Sequence, residues 1–175
     1  ELLFGSSITI LKVERENLYA SWNRAVALSS SKILTIYNID DYRFIENFYE
    51  QIIFHNNNLD INILYSSFLI NKNFSNLIQQ ESVEGKNNNS FTNSMIVGPY
   101  FSFIKKEIKY VNYFDEQFKV AGDFEFQVRR SFEGKFKKLE KNGGIYFDNS
   151  QGLSTSGFFQ LIEEQVVNLR YNIID

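Results

Sequence analysis

The sequence contains no cysteine and only one histidine, His55. The lack of cysteine excludes a disulfide framework, a thiolate zinc site and a cysteine nucleophile. A single histidine also excludes a metal centre that is built from several imidazoles. The metal ions that remain are hard cations such as Mg²⁺ or Mn²⁺, which prefer oxygen ligands.

The chain also lacks an excess of positive charge and a long apolar run. Its 18 Lys and Arg residues stand against 21 Asp and Glu residues, which gives a formal net charge of -3. Nucleic acid is therefore not an expected partner, because binding to phosphate backbones requires a basic surface. No apolar stretch approaches the ~20 residues of a membrane-spanning helix. We therefore expect a soluble, cytoplasmic protein.

The length and composition are typical of one globular domain. A chain of 175 residues with 43% hydrophobic residues has enough apolar material for one core, and a domain of this size buries roughly 70% of its extended surface. The chain starts at Glu1 without Met, within a segment that already has an apolar pattern. The expectation is a single domain over residues 1–175, as an N-terminally incomplete fragment of a longer polypeptide.

The first 70 residues alternate between strand-like and helix-like patterns. Residues 8–13, 33–37 and 61–65 are short, mostly apolar runs, as in strands that are buried on both faces. Apolar residues at helical spacing lie between them, over 18–29 and 44–53. Strand–helix–strand repeats predict parallel pairing with right-handed crossovers. We therefore expect an α/β fold with a Rossmann-like open sheet.

The second half has a less regular pattern. Residues 71–94 are polar and rich in Asn, which predicts a long loop, and 100–104 read as a strand after Pro99. The turn signal Asn142-Gly143-Gly144 predicts a hairpin between its flanking apolar segments. Two helices are expected, one after Gly122 and one from Phe158 to Leu169. The predicted sheet is mainly parallel, with a mixed C-terminal part.

Two adjacent carboxylates, Asp40 and Asp41, follow the strand predicted at 33–37. Ligands of open α/β sheets bind beyond the carboxyl ends of the strands. A carboxylate pair there has the chemistry to hold a divalent cation together with phosphate groups. The same residues are also common in turns and at helix N-caps, and this alternative remains open.

Asp123 is the second candidate carboxylate. It follows Gly122 at the start of a predicted helix, where the helix N-terminus stabilises negative charge. A carboxylate in a cleft can accept a proton from an attacking hydroxyl group. An N-cap without a catalytic role remains the alternative for this residue.

Six short segments, in their order along the chain, resemble the conserved parts of family 2 glycosyltransferases. They are residues 18–25 (LYASWNRA), 38–41 (NIDD), 98–100 (GPY), 114–118 (FDEQF), 121–126 (AGDFEF) and 152–155 (GLST). The resemblance spans about residues 8 to 156. It implies the glycosyltransferase A fold without the N-terminal strand and helix that hold the nucleotide.

The resemblance also implies roles for individual residues. Asp40 and Asp41 match the metal and nucleotide motif of that family, with Asp41 as the likelier metal ligand. Asp123 matches the general base of inverting members. Asn23 matches a position next to the nucleotide pocket, and a structural role for it is equally open.

The function that the resemblance implies is the transfer of a sugar from a nucleotide-sugar donor, with inversion and with Mg²⁺ or Mn²⁺. The acceptor would be a glycan, a lipid or a protein, and peripheral association with the inner face of a membrane would come through the acceptor or through the missing regions of the polypeptide. Two other functions remain open from the residues alone. One is a non-catalytic binding module of the same fold, and the other is a metal-dependent phosphate-ester enzyme such as a nucleotidyltransferase or phosphatase.

Overall fold

The computed structural model describes residues 8–72, 76–80, 82, 91–105, 113–148 and 157–173. Four helices occur in these ranges: α1 (Leu18–Leu28), α2 (Ile45–Asn57), α3 (Gly122–Glu133) and α4 (Phe158–Arg170). None of them combines the length and the apolar composition that a membrane crossing requires.

The described strands form two four-stranded sheets. In chain order they are β1 (Ile33–Thr35), β2 (Tyr42–Arg43), β3 (Ile61–Ser66), β4 (Phe68–Lys72), β5 (Asn76–Gln80), β6 (Ser102–Ile104), β7 (Lys135–Leu139) and β8 (Gly144–Asp148). The first sheet has the order β1-β6-β3-β7, and the second has the order β2-β8-β4-β5.

The prediction of an α/β protein is confirmed, but the prediction of a mainly parallel, Rossmann-like open sheet of the glycosyltransferase A type is wrong. In the first sheet β6 pairs antiparallel with both β1 and β3, and only β3 and β7 are parallel. Strands β1 and β3 therefore run in the same direction, as a strand–helix–strand unit requires, but they are not neighbours. A strand from a distant part of the sequence lies between them, and local periodicity carries no signal for that insertion.

Three local predictions are also wrong. Residues 8–13 form no strand, and their side chains are exposed. Part of the loop predicted at 71–94 is strand: β4 extends to Lys72, and β5 pairs antiparallel with it. The strands on either side of Asn142-Gly143-Gly144 do not form a hairpin, because β7 belongs to the first sheet and β8 to the second.

The core is built mainly from aromatic rings on the first sheet and on α3. Phe103 and Phe114 are fully buried, and Phe126 is 1% exposed. The ring centroids of Phe114 and Phe126 lie 4.6 Å apart, and those of Phe103 and Phe126 lie 5.2 Å apart. Each such ring buries roughly 150–250 Å², so these contacts fix α3 against the sheet and thereby set the position of its N-terminus.

Helix α2 buries a polar face, contrary to the expectation from its apolar periodicity. Ile45, Tyr49 and Ile53 are 54%, 58% and 61% exposed, whereas Gln51 and His55 are fully buried. The Gln51 amide nitrogen donates to the carbonyl oxygen of Tyr100 at 3.0 Å. The His55 Nε2 atom forms a hydrogen bond with the Ser102 hydroxyl group at 3.1 Å. Hydrogen bonds of this kind compensate for the burial of polar side chains on this face of the helix.

Candidate active site

A cleft of about 1060 Å³ lies against strands β4 and β8 of the second sheet and helices α1, α3 and α4. Its walls come from the start of α1, the segment after β1, strands β4 and β8, the segment before β6, the start of α3, and α4. Four carboxylates line it: Asp40, Asp123, Asp148 and Glu164. The described part of its lining contains no Lys, Arg or His side chain.

Asp123 faces this cleft from the first turn of α3. Its Oδ1 accepts a hydrogen bond from the backbone N–H of Phe124 at 2.9 Å and one from the Tyr19 hydroxyl at 3.3 Å. Burial raises the pKa of Asp123 above its ordinary value, although these hydrogen bonds act in the opposite direction. A carboxylate with a raised pKa is a stronger base, which suits it to accept a proton from a hydroxyl group.

The segment that carries Asp123 is held by Glu163 of α4. The Glu163 carboxylate is 8% exposed. It accepts hydrogen bonds from the backbone N–H groups of Lys119, Val120 and Ala121 at distances from 2.8 to 3.1 Å. These donors directly precede α3, so Glu163 fixes the position of the N-terminus of α3 and thereby the position of Asp123.

Gly122 allows Tyr19 to reach Asp123. A Cβ atom at Gly122 would lie 2.6 Å from Cε2 of the Tyr19 ring. Tyr19 is 1% exposed and packs against Trp22 and Phe114, so a movement of its ring away from Gly122 would break these contacts. The close approach of ring and backbone thus requires glycine at this position.

Asp40 and Asp41 are adjacent, but they lie in different surroundings. Asp40 is exposed and lines the cleft. Asp41 is 8% exposed, and its carboxylate accepts from the Phe147 backbone N–H at 3.2 Å and from the Asn38 amide at 3.3 Å. Burial raises the pKa of Asp41. The hydrogen bonds give Asp41 a role in joining the loop to β8, and metal binding by Asp41 stays a prediction.

Sequence reasoning did not find Asp148. It is the last residue of β8 and lines the cleft. The Phe147 N–H group donates to the Asp41 carboxylate, so the loop that carries Asp40 and Asp41 meets the end of β8, which carries Asp148. A carboxylate directly after the apolar run Ile145-Tyr-Phe147 was the available signal, and it has the same form as the signal at Asp40.

These carboxylates offer the oxygen ligands that a hard divalent cation prefers, but the described residues contain no group of three or more His, Cys, Asp or Glu side chains arranged to hold a metal ion. Mg²⁺ commonly binds one or two carboxylates and takes its other ligands from water and substrate phosphates. Asp40 and Asp148 fit that pattern, and a metal site made entirely from protein ligands does not fit the described residues.

Asn23 lies on α1, and its side-chain amide is hydrogen-bonded to the backbone of Phe114. Its amide nitrogen donates to the carbonyl oxygen of Phe114 at 2.7 Å, and its Oδ1 accepts from the Phe114 N–H at 2.8 Å. The amide also donates to Glu116 at 2.9 Å. These bonds give Asn23 a structural role in holding the segment at 114–116, and nucleotide binding by Asn23 stays a prediction.

Gln127 is a second residue whose role sequence reasoning missed. It is 1% exposed, and its Oε1 accepts from the backbone N–H groups of Ile96 and Val97 at 2.8 and 2.9 Å. Its amide nitrogen donates to the carbonyl oxygens of Phe91 and Ser94. A single side chain therefore satisfies four backbone groups and shapes one wall of the cleft.

The other segments that resemble family 2 glycosyltransferases do not all lie at the cleft. Gly98 and Pro99 line the cleft, and Gly98 has φ of 65°, which favours glycine. Phe114 lies in the core. Residues 152–155 lie outside the described residues. In comparisons with known proteins, no protein-family model matches the chain, and no curated protein matches it.

Proposed function

We propose that the chain is a glycosyltransferase that moves a sugar from a nucleotide-sugar donor to an acceptor hydroxyl group, with inversion at the anomeric carbon. The observation that carries the proposal is the common cleft of Asp40 and Asp123. A single displacement needs a proton acceptor on one side of the sugar and a means to neutralise the leaving diphosphate on the other. The order of the segments that resemble family 2 glycosyltransferases supports the same reaction.

Asp123 acts as the base in this reaction. The acceptor O–H proton passes to the Asp123 carboxylate while the acceptor oxygen forms a bond to the anomeric carbon. The bond between that carbon and the phosphate oxygen breaks, and the nucleoside diphosphate leaves with the electron pair. The Tyr19 hydroxyl and the Phe124 N–H orient the carboxylate, and its raised pKa favours proton uptake.

Asp40 and Asp148 serve the donor side. A bound divalent cation supplies positive charge that neutralises the developing negative charge of the diphosphate. Since the described lining has four carboxylates and no cationic side chain, a diphosphate without such a cation is repelled. This accounts for the expected dependence on Mg²⁺ or Mn²⁺.

The test is a donor hydrolysis and transfer assay with a panel of nucleotide sugars in the presence of Mg²⁺ or Mn²⁺. We expect free nucleoside diphosphate together with a released or transferred sugar, and its loss in Asp123→Asn. Asp60→Asn is the matched control, because Asp60 is 61% exposed and outside the described lining of the cleft. Release of inorganic phosphate or nucleotide transfer would instead identify a phosphate-ester enzyme. Nucleotide-sugar binding without turnover would identify a binding module.

A further inference from the structure

Helix α4 presents apolar side chains to solvent and polar side chains to the rest of the protein. Successive residues of a helix are rotated by about 100°, so its outward arc carries Phe158, Phe159, Leu161, Ile162, Gln165, Val166 and Leu169, all of which are exposed. We call these residues the outer face of α4. The outer face contains no charged side chain, whereas a surface helix of a globular protein usually has its charged and polar residues on this side.

The inward side of α4 holds the helix in this orientation. The Glu163 carboxylate accepts hydrogen bonds from the three backbone N–H groups that directly precede α3, at 2.8 to 3.1 Å. Val167, one turn further along, is fully buried in the core. A rotation of α4 that covered the outer face would break these hydrogen bonds and expose Val167. The outer face is therefore covered only if a second surface packs on it.

The outer face is large for an apolar surface in contact with water. Phe158 is 78% exposed, Leu169 is 63% exposed and Leu161 is 60% exposed. At about 200 Å² for a large apolar residue, the exposed parts of its six apolar residues amount to roughly 650 Å². The largest apolar patch of a typical monomer is about 300–600 Å². Two such faces against each other bury roughly 1,300 Å², which is within the range of specific, stable protein interfaces.

The charges on α4 do not favour a lipid surface as the partner. Helices that lie on membranes carry Lys or Arg residues along their polar side. The polar side of α4 carries Glu163 and Glu164, and its one basic residue, Arg170, forms an ion pair with Asp115. Anionic headgroups attract basic segments and not acidic ones. The outer face therefore fits a protein surface that is apolar and uncharged.

A second copy of the chain supplies such a surface. We propose that the outer faces of two copies pack together as an antiparallel helix pair across a two-fold axis, so that the chain forms a homodimer. With the axis at the middle of α4, Leu161 lies opposite Val166 of the partner subunit, and Phe158 lies opposite Leu169 of the partner subunit. Each contact then occurs twice, as two-fold symmetry requires, and no charge is buried. The residues of α4 that line the cleft are not part of the outer face, so the dimer does not depend on the proposed function.

Sedimentation equilibrium of the full chain tests the proposal. We expect a monomer–dimer equilibrium with a dissociation constant on the order of micromolar, because the interface lies toward the small end of the stable ones. The measured mass should rise from that of one chain toward that of two across a concentration series. A chain that stays monomeric at about 100 µM would overturn the proposal.

Two variants and a matched control locate the interface. Leu161→Lys and Leu169→Lys each place two charges in it, one from each copy, and should weaken dimerisation roughly a hundredfold. Ile53→Lys is the control, because Ile53 is 61% exposed on α2, and it should leave the dissociation constant unchanged. Circular dichroism at a concentration at which the wild type is monomeric checks that each variant keeps its helices.

Three results of these experiments contradict the homodimer. A dimer that survives both substitutions on α4 uses another surface. A dimer that Ile53→Lys weakens to the same extent responds to added charge in general and not to the outer face. A monomer that binds phosphatidylserine vesicles, and loses this binding in Leu161→Lys, uses the outer face on a membrane. Each of these results would overturn the proposal.

Discussion

The Glu163 carboxylate accepts a hydrogen bond from the backbone N–H of Ala121 at 2.9 Å, two residues before Asp123. Glu163 lies on α4, whereas Asp123 lies on α3. The position of the proposed base is therefore set by a residue that is 40 positions later in the chain. Hydrogen bonds from backbone N–H groups to a carboxylate are among the stronger ones in proteins, so this contact is an important tie between the two helices.

Replacement of Glu163 should destabilise the fold. Glu163→Ala leaves the N–H groups of Lys119, Val120 and Ala121 without their acceptor, and we expect a loss of about 3 kcal/mol in the free energy of unfolding. Glu163→Gln retains one acceptor oxygen and should lose about 1 kcal/mol. Urea unfolding measures both values, with Glu140→Gln as the control. Equal stability of Glu163→Ala and the wild type would show that the contact does not form in solution.

Asp123→Asn should remove the base while it preserves the shape of the site. We expect the turnover number to fall by roughly 10² to 10⁴, with little change in the affinity for a nucleoside diphosphate. Steady-state kinetics and calorimetry measure these two quantities. Near-normal turnover of this variant would contradict the assignment of Asp123.

The raised pKa values of Asp41 and Asp123 predict a pH dependence of stability. Because burial makes protonation easier in the folded than in the unfolded state, their contribution to stability is fully present below about pH 3.9, the ordinary pKa of Asp, and is lost as the pH rises through the folded-state values. Asp123→Asn should therefore raise Tm at neutral pH, and the gain should shrink on acidification. Thermal unfolding over a pH series tests this.

Asp60→Asn provides the contrast in that pH series. The side-chain hydrogen bond from Lys135 lowers the pKa of Asp60, so its contribution has the opposite sign and is lost as the pH falls. Asp60 is exposed, and exposed ion pairs contribute little. A Tm gain in Asp60→Asn equal to that in Asp123→Asn would indicate a general charge effect and not relief of burial.

The three aspartates near the donor side should differ in their effect on metal-dependent binding. We expect Asp40→Asn and Asp148→Asn each to weaken Mg²⁺-dependent binding of uridine or guanosine diphosphate by roughly tenfold, or about 1.4 kcal/mol. Asp41→Asn should change it less, because Asp41 already accepts from Phe147 and Asn38. Calorimetry with and without Mg²⁺ measures these affinities. The largest loss at Asp41 would instead identify it as the main ligand.

Gly122→Ala should destabilise the protein because the new methyl group meets the Tyr19 ring. Overpacking of this kind costs about 1–3 kcal/mol. Tyr19→Leu is destabilising by itself, since it removes a buried ring, but in its background Gly122→Ala should cost less than in the wild type. A double-mutant cycle by chemical denaturation measures this difference. No loss in the single variant would show that the Tyr19 ring shifts freely.

The sequence predicted the elements with clear local periodicity. The helices at 18–28, 122–133 and 158–170 and the strands at 33–35, 61–66 and 102–104 occur close to where the pattern indicated them. These signals are local, since apolar spacing and helix-start residues lie within one segment. The pairing of β6 between β1 and β3 left no such signal, because it joins segments that are more than 35 residues apart.

The candidate site shows the same division. Its two main carboxylates, Asp40 and Asp123, stand out in the sequence because each lies at the end or start of a patterned element. Asp148 also follows an apolar run, but Glu163 and Glu164 do not stand out, because their neighbours in space come from other elements. A carboxylate acquires its role from the donors and charges that surround it, and those are set by packing.

Composition and local pattern thus determined the α/β class, the absence of cysteine chemistry and of a multi-histidine metal centre, and the positions of Asp40 and Asp123. The tertiary structure decided which strands are neighbours and that Asp41 is buried while Asp40 lines the cleft. It also decided that Glu163 binds the segment before α3 and that Glu164 lines the same cleft as Asp123. The physical reason is range: helix and strand propensities act within a few residues, whereas burial, hydrogen bonding and pKa values depend on atoms that only the folded chain brings together.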